Sequence, residues 1–95
     1  MLYVLHAYDY TDEKALERRM SVRERHLEGA KILKAEGHFV LGGALLSSEG
    51  KMMGSMMVVD FETETQLNEW LHKDPYVTGK VWEKIDIKPF KKADF

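Results

Sequence analysis

Three of the four predicted strands are apolar on both of their faces, and this pattern constrains the fold more than any other feature of the sequence. The segments LYVLHAY, FVLGGALL and MMVVDF carry apolar side chains in both alternating registers. A strand with one face in water normally alternates apolar and polar residues. Both faces of the sheet must therefore be covered, and the helices of one chain cover only one of them.

The elements follow one another in the order β-α-β-β-α-β. Alternation and β-branched or aromatic content predict four strands, at Leu2–Tyr8, His38–Leu46, Gly54–Phe61 and Trp82–Phe90. Residues 12–36 are rich in Glu, Lys, Arg, Ala and Leu and are predicted to be helical, as are residues 63–73. This order is typical of an α+β, ferredoxin-like fold, an antiparallel sheet with both helices on one face.

Local signals predict where the helices begin and end. Ser21, followed by Glu three residues later, forms a capping box, which predicts a short helix over residues 12–19 and a main helix from Val22. Thr63 opens a second capping box, Gly37 is a typical helix terminator, and the proline at 75 stops the second helix.

The chain is long enough for one domain, which we assign to residues 1–95. A second copy of the sheet is the simplest cover for the exposed face, so we expect a homodimer, a two-fold dimeric α/β barrel. The alternative is a covering tail or loop, but the sequence has no residues to spare for one.

Charge and cysteine content exclude several classes of function. The net charge of −2 gives no reason to expect nucleic acid or an anionic membrane as a partner. The absence of cysteine excludes disulfides and thiolate chemistry and fits a reducing compartment. No signal peptide and no membrane-spanning segment are visible, so we expect a cytoplasmic protein.

His26 and Asp74 are the candidate catalytic residues. A helix starting near Val22 places His26 beside its buried face and near its positive end, which favours the neutral imidazole that a general base needs. Antiparallel helices bring Asp74 to the same end of the domain, where its carboxylate fixes the tautomer of the imidazole. The alternatives are a histidine bonded to backbone at the core edge and an Asp-Pro turn.

Four other residues are candidates for substrate binding. His6 and Tyr8 lie near the end of the first strand and are expected to line the same pocket, although a packed strand pair explains them equally well. Arg19 and Arg23 are one helical turn apart and suit a substrate carboxylate. They also suit a surface salt-bridge face. No pair of histidines has metal-ligand spacing, so we expect no metal and no cofactor.

Three segments carry a resemblance to a known family. The sequence RMSVRERHL at residues 19–27, together with DPYV at 74–77 and IKPFKK at 87–92, resembles the YciI-like (YCII-related) family, and the match extends over most of the chain. The resemblance implies a dimeric α/β barrel with a His–Asp site at His26 and Asp74. The family is similar in fold to muconolactone isomerases, and some members are linked to dehydrochlorination of chlorinated aromatic breakdown products.

Two functions remain open at this point. The first is an enzyme that uses His26 and Asp74 for acid–base chemistry, an isomerisation or elimination, on a small aromatic or acidic molecule. The second is a non-catalytic dimeric module that binds a small molecule, because one fold serves many functions.

Overall fold

Four antiparallel strands form a single sheet in the spatial order β2 (Phe39–Leu46), β3 (Met52–Asp60), β1 (Leu2–Asp9) and β4 (Trp82–Phe90). The computed structural model describes residues 1–95. Its elements are β1 (Leu2–Asp9), α1 (Ala15–Ala35), β2 (Phe39–Leu46), β3 (Met52–Asp60), α2 (Glu64–Leu71), α3 (Pro75–Thr78) and β4 (Trp82–Phe90). The predicted α+β order is confirmed, with the one-turn helix α3 added before β4.

One face of the sheet packs against the helices and forms the core. Tyr3, Leu5 and Ala7 of β1 point to this face, where they meet Val59, Met57 and Ser55 of β3 in register. Leu33 of α1 and Leu67 and Leu71 of α2 close over these strands, and all belong to one buried apolar cluster except Ser55. Strand alternation therefore sends every second side chain of β1 and β3 into the core.

The opposite face of the sheet has no covering layer in a single chain. Val4 pairs with Val58, which also pairs with Leu41, and Phe90 lies across from Leu2. Leu41 is 48% exposed and Phe90 is 39% exposed. The two apolar registers seen in the sequence are therefore real, and only one of them is covered within the chain.

Helix α1 is one continuous helix, and the predicted break at Ser21 is wrong. The Ser21 hydroxyl donates to the Arg18 carbonyl at 2.7 Å and does not cap a helix. Arg19 and Val22 on either side of Ser21 are both buried, and an unbroken helix keeps both on the inner face. The helix starts at Ala15, without a side-chain cap.

Two of the other predicted helix ends are confirmed, at Gly37 and Thr63. Gly37 follows α1 with a φ of +84°, which favours glycine. The Thr63 hydroxyl accepts from the Gln66 N–H at 3.2 Å at the start of α2. Helix α2 ends at Leu71, two residues earlier than predicted, and Asp74 is the N-cap of α3. No helix is both long and apolar enough to cross a membrane.

Candidate active site

A small cavity lies between α1 and the β2–β3 half of the sheet. Its volume is about 110 Å³. Its polar lining residues are Arg19, Arg23, His26, Ser55 and Tyr76, and its apolar lining residues include Leu27, Ala30, Phe39, Ala44 and Met57. Gly42 is part of the same wall, and a Cβ there would lie 3.1 Å from the Met57 side chain and 3.2 Å from Phe39. A side chain at Gly42 would therefore crowd this wall, and glycine allows the strand to pack closely against Met57 and Phe39.

His26 and Asp74 contact each other at the edge of this cavity. The Nδ1 atom of His26 lies 2.9 Å and 3.2 Å from the two carboxylate oxygens of Asp74. His26 is 8% exposed and Asp74 is 5% exposed. A carboxylate accepts hydrogen bonds, so the contact assigns the ring hydrogen to Nδ1. The Nε2 atom has no partner within the chain.

Backbone geometry fixes the Asp74 carboxylate. Asp74 is the N-cap of α3, and its Oδ1 atom accepts the Tyr76 backbone N–H at 2.8 Å. Pro75 follows at the first helical position, where a missing N–H costs nothing. The Asp-Pro turn and the histidine partner are therefore the same residue, so the two interpretations of Asp74 are compatible.

Two aromatic rings hold the imidazole in place. The His26 ring stacks on Tyr76 with centroids 3.8 Å apart and planes 10° apart, and Trp82 meets it edge-on at 5.7 Å. Burial raises the pKa of the Tyr76 phenol, and the charges of Arg19 and Arg23 oppose that rise. The phenol of Tyr76 therefore stays neutral beside His26 at physiological pH.

His26 lies too far along the helix for the expected dipole effect. Helix α1 starts at Ala15, so His26 is about three turns from the N-terminus. The field of the helix end acts mainly within the first turn. The expectation that the helix end acts on His26 is therefore wrong, and the carboxylate and the two rings are what surround it.

Arg19 forms a second buried pair on the same helix. Its Nη1 atom donates to both oxygens of Asp9, at 2.9 Å and 3.0 Å, and its Nη2 atom donates to Ser55 Oγ at 2.8 Å. Its guanidinium also lies 4.7 Å from the centre of the Tyr76 ring. Burial raises the pKa of Asp9, and the hydrogen bond and charge of Arg19 oppose this.

The two candidate arginines differ in their partners. Arg19 is committed to Asp9 and Ser55, so its charge is neutralised within the chain. Arg23 lines the cavity and is only partly buried, and it makes no ion pair or side-chain hydrogen bond. Of the two, Arg23 is therefore the arginine with an unpaired charge for a bound acid group, whereas Arg19 keeps only a buried Nε–H without a partner.

His6 and Tyr8 do not belong to this cavity, contrary to the sequence-based expectation. Tyr3, Leu5 and Ala7 point towards the helices, so His6 and Tyr8 point to the open face. There His6 lies across from Met56 and Asp86, and Tyr8 is 42% exposed. The prediction placed them correctly along the strand but on the wrong face.

Sequence reasoning missed two polar residues of the site, Asp9 and Ser55. Ser55 is the one polar side chain within the apolar stretch from Met52 to Val59, and it points inwards. Its hydroxyl accepts from Arg19 and also from Trp82 Nε1, at 3.2 Å. A polar residue at an inward position of an apolar strand was the signal available in the sequence.

The arrangement suits proton transfer. A neutral imidazole with hydrogen on Nδ1 has a lone pair on Nε2, and the Asp74 carboxylate stabilises the cation that forms when Nε2 takes a proton. Arg23 supplies a positive charge at the same cavity. No group of three or more His, Cys, Asp or Glu side chains is arranged to hold a metal ion.

Comparison with known proteins identifies relatives along the whole chain. A family model described as YCII-related domain matches residues 1–91. Protein YciI of Escherichia coli O6:H1 is 36% identical over 99 aligned positions, and the alignment covers 98% of this chain and 99% of that protein. Derivative of benzaldehyde biosynthesis cluster protein C of Emericella nidulans is 32% identical over 81 aligned positions, and the alignment covers 77% of this chain and 83% of that protein.

A solved structure shares the fold. The 5-chloro-2-hydroxyhydroquinone dehydrochlorinase of Burkholderia phenoliruptrix AC1100, in complex with 2,5-dihydroxybenzoquinone, matches with a TM-score of 0.84. The match covers 98% of this chain and 96% of that one at 20% sequence identity. At this identity the likeness confirms the α+β fold and carries no activity with it.

Proposed function

The chain belongs to the YCII-related domain family, and from that premise we propose that it is a small-molecule enzyme in which His26 and Asp74 act as a general acid/base pair. The reaction is an isomerisation or an elimination that begins with removal of a proton from a small aromatic or acidic substrate. The main support is the 2.9 Å contact between His26 Nδ1 and Asp74, which leaves the other ring nitrogen of His26 without a partner beside a cavity.

His26 is the base, and Asp74 orients it. The Nε2 lone pair takes the proton from the substrate, and the Asp74 carboxylate balances the charge on the ring. The stacked Tyr76 ring keeps the imidazole from rotating. Such chemistry needs no nucleophile and no bound cofactor.

Arg23 binds an acidic group of the substrate. It lines the cavity without a carboxylate partner of its own, and a guanidinium pairs with a carboxylate or phenolate through two parallel N–H donors. The dehydrochlorinase of the same fold was solved with a dihydroxyquinone. Small quinoid and phenolic acids are therefore the first compounds to test.

A ligand screen followed by isotope exchange tests this function. Thermal shift would find compounds that stabilise the protein, and NMR in D₂O would then measure deuterium incorporation into each bound compound. The wild type should accelerate exchange, and His26→Asn should not, because asparagine keeps an N–H for Asp74 and lacks the second nitrogen. Arg23→Met should weaken binding of acidic compounds without abolishing exchange at saturation.

The same experiment separates the enzyme from a binding module. Compounds that bind the wild type and His26→Asn equally, with no exchange above the rate in buffer, would overturn the catalytic proposal and leave a non-catalytic small-molecule-binding role.

We further propose that two chains pair through the open faces of their sheets. The support is the apolar surface of Tyr8, Leu41 and Phe90, which one chain leaves exposed. Apolar patches of this kind on small domains are typical of interfaces between copies. A two-fold pairing of the two sheets is the dimeric α/β barrel that the sequence predicts.

Sedimentation velocity at micromolar concentration tests the dimer. We expect the wild type to sediment as a dimer and Leu41→Glu as a monomer, since Leu41 is 48% exposed and its replacement costs a single chain little. Ile32→Glu is the matched control, because Ile32 is 60% exposed on the helix side. A monomeric wild type, or equal dissociation in both variants, would contradict the pairing.

A further inference from the structure

Ser55 is buried at the point where the two halves of the site meet. It lies on β3 across from Ala7, is 3% exposed and lines the cavity that His26 also lines. Trp82, which donates to Ser55, also packs edge-on against the His26 ring. The hydroxyl and the imidazole are therefore neighbours around one space.

The protein already uses the accepting capacity of this hydroxyl. Arg19 Nη2 donates to Ser55 Oγ at 2.8 Å, and Trp82 Nε1 donates to it at 3.2 Å. A serine oxygen has two acceptor positions and one hydrogen to donate. Both acceptor positions of Oγ are filled, and its hydrogen has no acceptor within the chain. The Ser55 hydroxyl can therefore still donate one hydrogen bond to a ligand.

We propose that the Ser55 hydroxyl donates a hydrogen bond to the substrate oxygen that becomes negatively charged when His26 removes a proton. The substrate class that follows is a carbonyl compound, a ketone or quinoid, whose acidic C–H lies next to the carbonyl or is conjugated with it. This inference rests on the proposed function of His26 and adds the group that the substrate oxygen meets.

The charges and bonds of the step balance without any further reagent. The proton moves from the substrate carbon to His26 Nε2, and the C–H electron pair forms a C=C bond. The former C=O electron pair moves to oxygen and gives an enolate. Ser55 keeps its proton and donates to that oxygen, and His26 returns the proton at another atom in an isomerisation or passes it to a leaving group in an elimination.

Two features make Ser55 suited to this role. Accepting a hydrogen bond from a guanidinium polarises the hydroxyl and strengthens the hydrogen bond that it donates. The charge of Arg19 is balanced by Asp9, and its Nη2 atom fixes and polarises the Ser55 hydroxyl. Donors placed in advance where charge develops contribute strongly to catalysis.

Phenolates are direct probes, because they carry the oxygen charge of an enolate in a ring of nearly constant size. A series of fluorine-substituted phenols, titrated by calorimetry at a pH above the pKa of every member, varies the basicity of one oxygen. A hydrogen-bond donor binds the more basic phenolates more tightly. We expect the affinity of the wild type to rise with phenolate basicity across the series.

Ser55→Ala removes the donor, and Ser55→Thr keeps it on a residue that suits a strand. Ser55→Ala should weaken binding of the most basic phenolate by roughly 10- to 100-fold and flatten the dependence on basicity. Ser55→Thr should retain the dependence. A purely structural role would weaken every phenolate by the same factor and leave the dependence unchanged in Ser55→Ala.

Three results would overturn the proposal: an unchanged dependence in Ser55→Ala, a flat dependence in the wild type, or no phenolate binding at all. Phenolate binding is measured without turnover, so its outcome is independent of the isotope-exchange test of His26. If affinity depends on phenolate basicity through Ser55 but no exchange is catalysed, the proposed reaction is removed and Ser55 remains an oxygen-binding group. Catalysed exchange without any dependence of affinity on phenolate basicity would keep the proposed reaction and remove the role of Ser55.

Discussion

Helix α1 carries two buried polar side chains about two turns apart, Arg19 and His26, and each contacts a carboxylate and the same Tyr76 ring. They differ in what they leave free. Both terminal nitrogens of Arg19 are bonded within the chain, to Asp9 and Ser55, and only its Nε–H has no partner. One nitrogen of His26 is bonded to Asp74, and the other is not bonded to any protein group.

This difference separates a structural pair from a reactive one. A buried charge that is paired within the chain stabilises one arrangement, and removing one partner leaves the other uncompensated. A buried imidazole with one bonded nitrogen is held in position and still has a lone pair for a ligand. The pair at Arg19 is therefore expected to matter for stability, and the pair at His26 for chemistry.

The largest effect on stability is expected from Arg19→Met. The variant leaves the Asp9 carboxylate buried without its cation and takes one donor from Ser55. We expect the free energy of unfolding to fall by about 3–5 kcal/mol, as for other buried pairs that lose one partner. Urea denaturation at neutral pH measures this. A loss below about 1 kcal/mol would show that the pair is not structural.

The pH dependence of that loss identifies its cause. Because burial raises the pKa of Asp9 above its ordinary value of 3.8, this group contributes stability that is present below that value and is lost as pH rises through its value in the folded protein. Arg19 opposes the rise. The difference between the wild type and Arg19→Met should therefore be smallest at acidic pH and grow towards neutral pH.

A smaller loss of stability is expected from His26→Asn. Asparagine keeps an N–H for Asp74 and loses the stacking on Tyr76, so the free energy of unfolding should fall by about 1–2 kcal/mol. Isotope exchange into a bound compound should be abolished. If His26→Asn proved as destabilising as Arg19→Met, the contrast between the two pairs would fail.

The smallest effect is expected at an exposed pair next to the buried one. Arg18 donates to both oxygens of Asp12, and this hydrogen bond lowers the pKa of Asp12 to about 2. Asp12 therefore contributes stability that is present above its ordinary value of 3.8 and is lost as pH falls through about 2. Asp12→Asn should be slightly less stable than the wild type at neutral pH, and the two should converge at pH 2.

The sequence predicted the elements well because its signals are local. The apolar runs gave the strands, and Thr63 and Gly37 gave helix ends that depend on neighbouring residues only. Antiparallel topology alone predicts that Asp74 and His26 lie at the same end of the domain. The same topology says nothing about helix continuity, so Ser21 was misread as a cap.

The partners of the site residues could not be predicted, because they depend on packing across the sheet. Arg19 bonds Asp9 from β1 and Ser55 from β3, and these residues are far apart in sequence. The face on which His6 lies depends on the register of β1, which the two apolar registers of this strand do not reveal. Ser55 stands out in the sequence as a lone polar residue, but the sequence does not reveal that Arg19 and Trp82 donate hydrogen bonds to it.

The tautomer of His26 is the most direct test of the central claim that one nitrogen is held and the other is free. Long-range ¹H–¹⁵N correlation spectra of ¹⁵N-labelled protein, at a pH where the ring is neutral, report which nitrogen carries the hydrogen. In the wild type we expect hydrogen on Nδ1 and a bare Nε2. In Asp74→Asn we expect both tautomers, since an amide accepts or donates, whereas Asp9→Asn should leave the wild-type tautomer unchanged. Hydrogen on Nε2 in the wild type would contradict the account, because His26 would then have no base directed at the cavity.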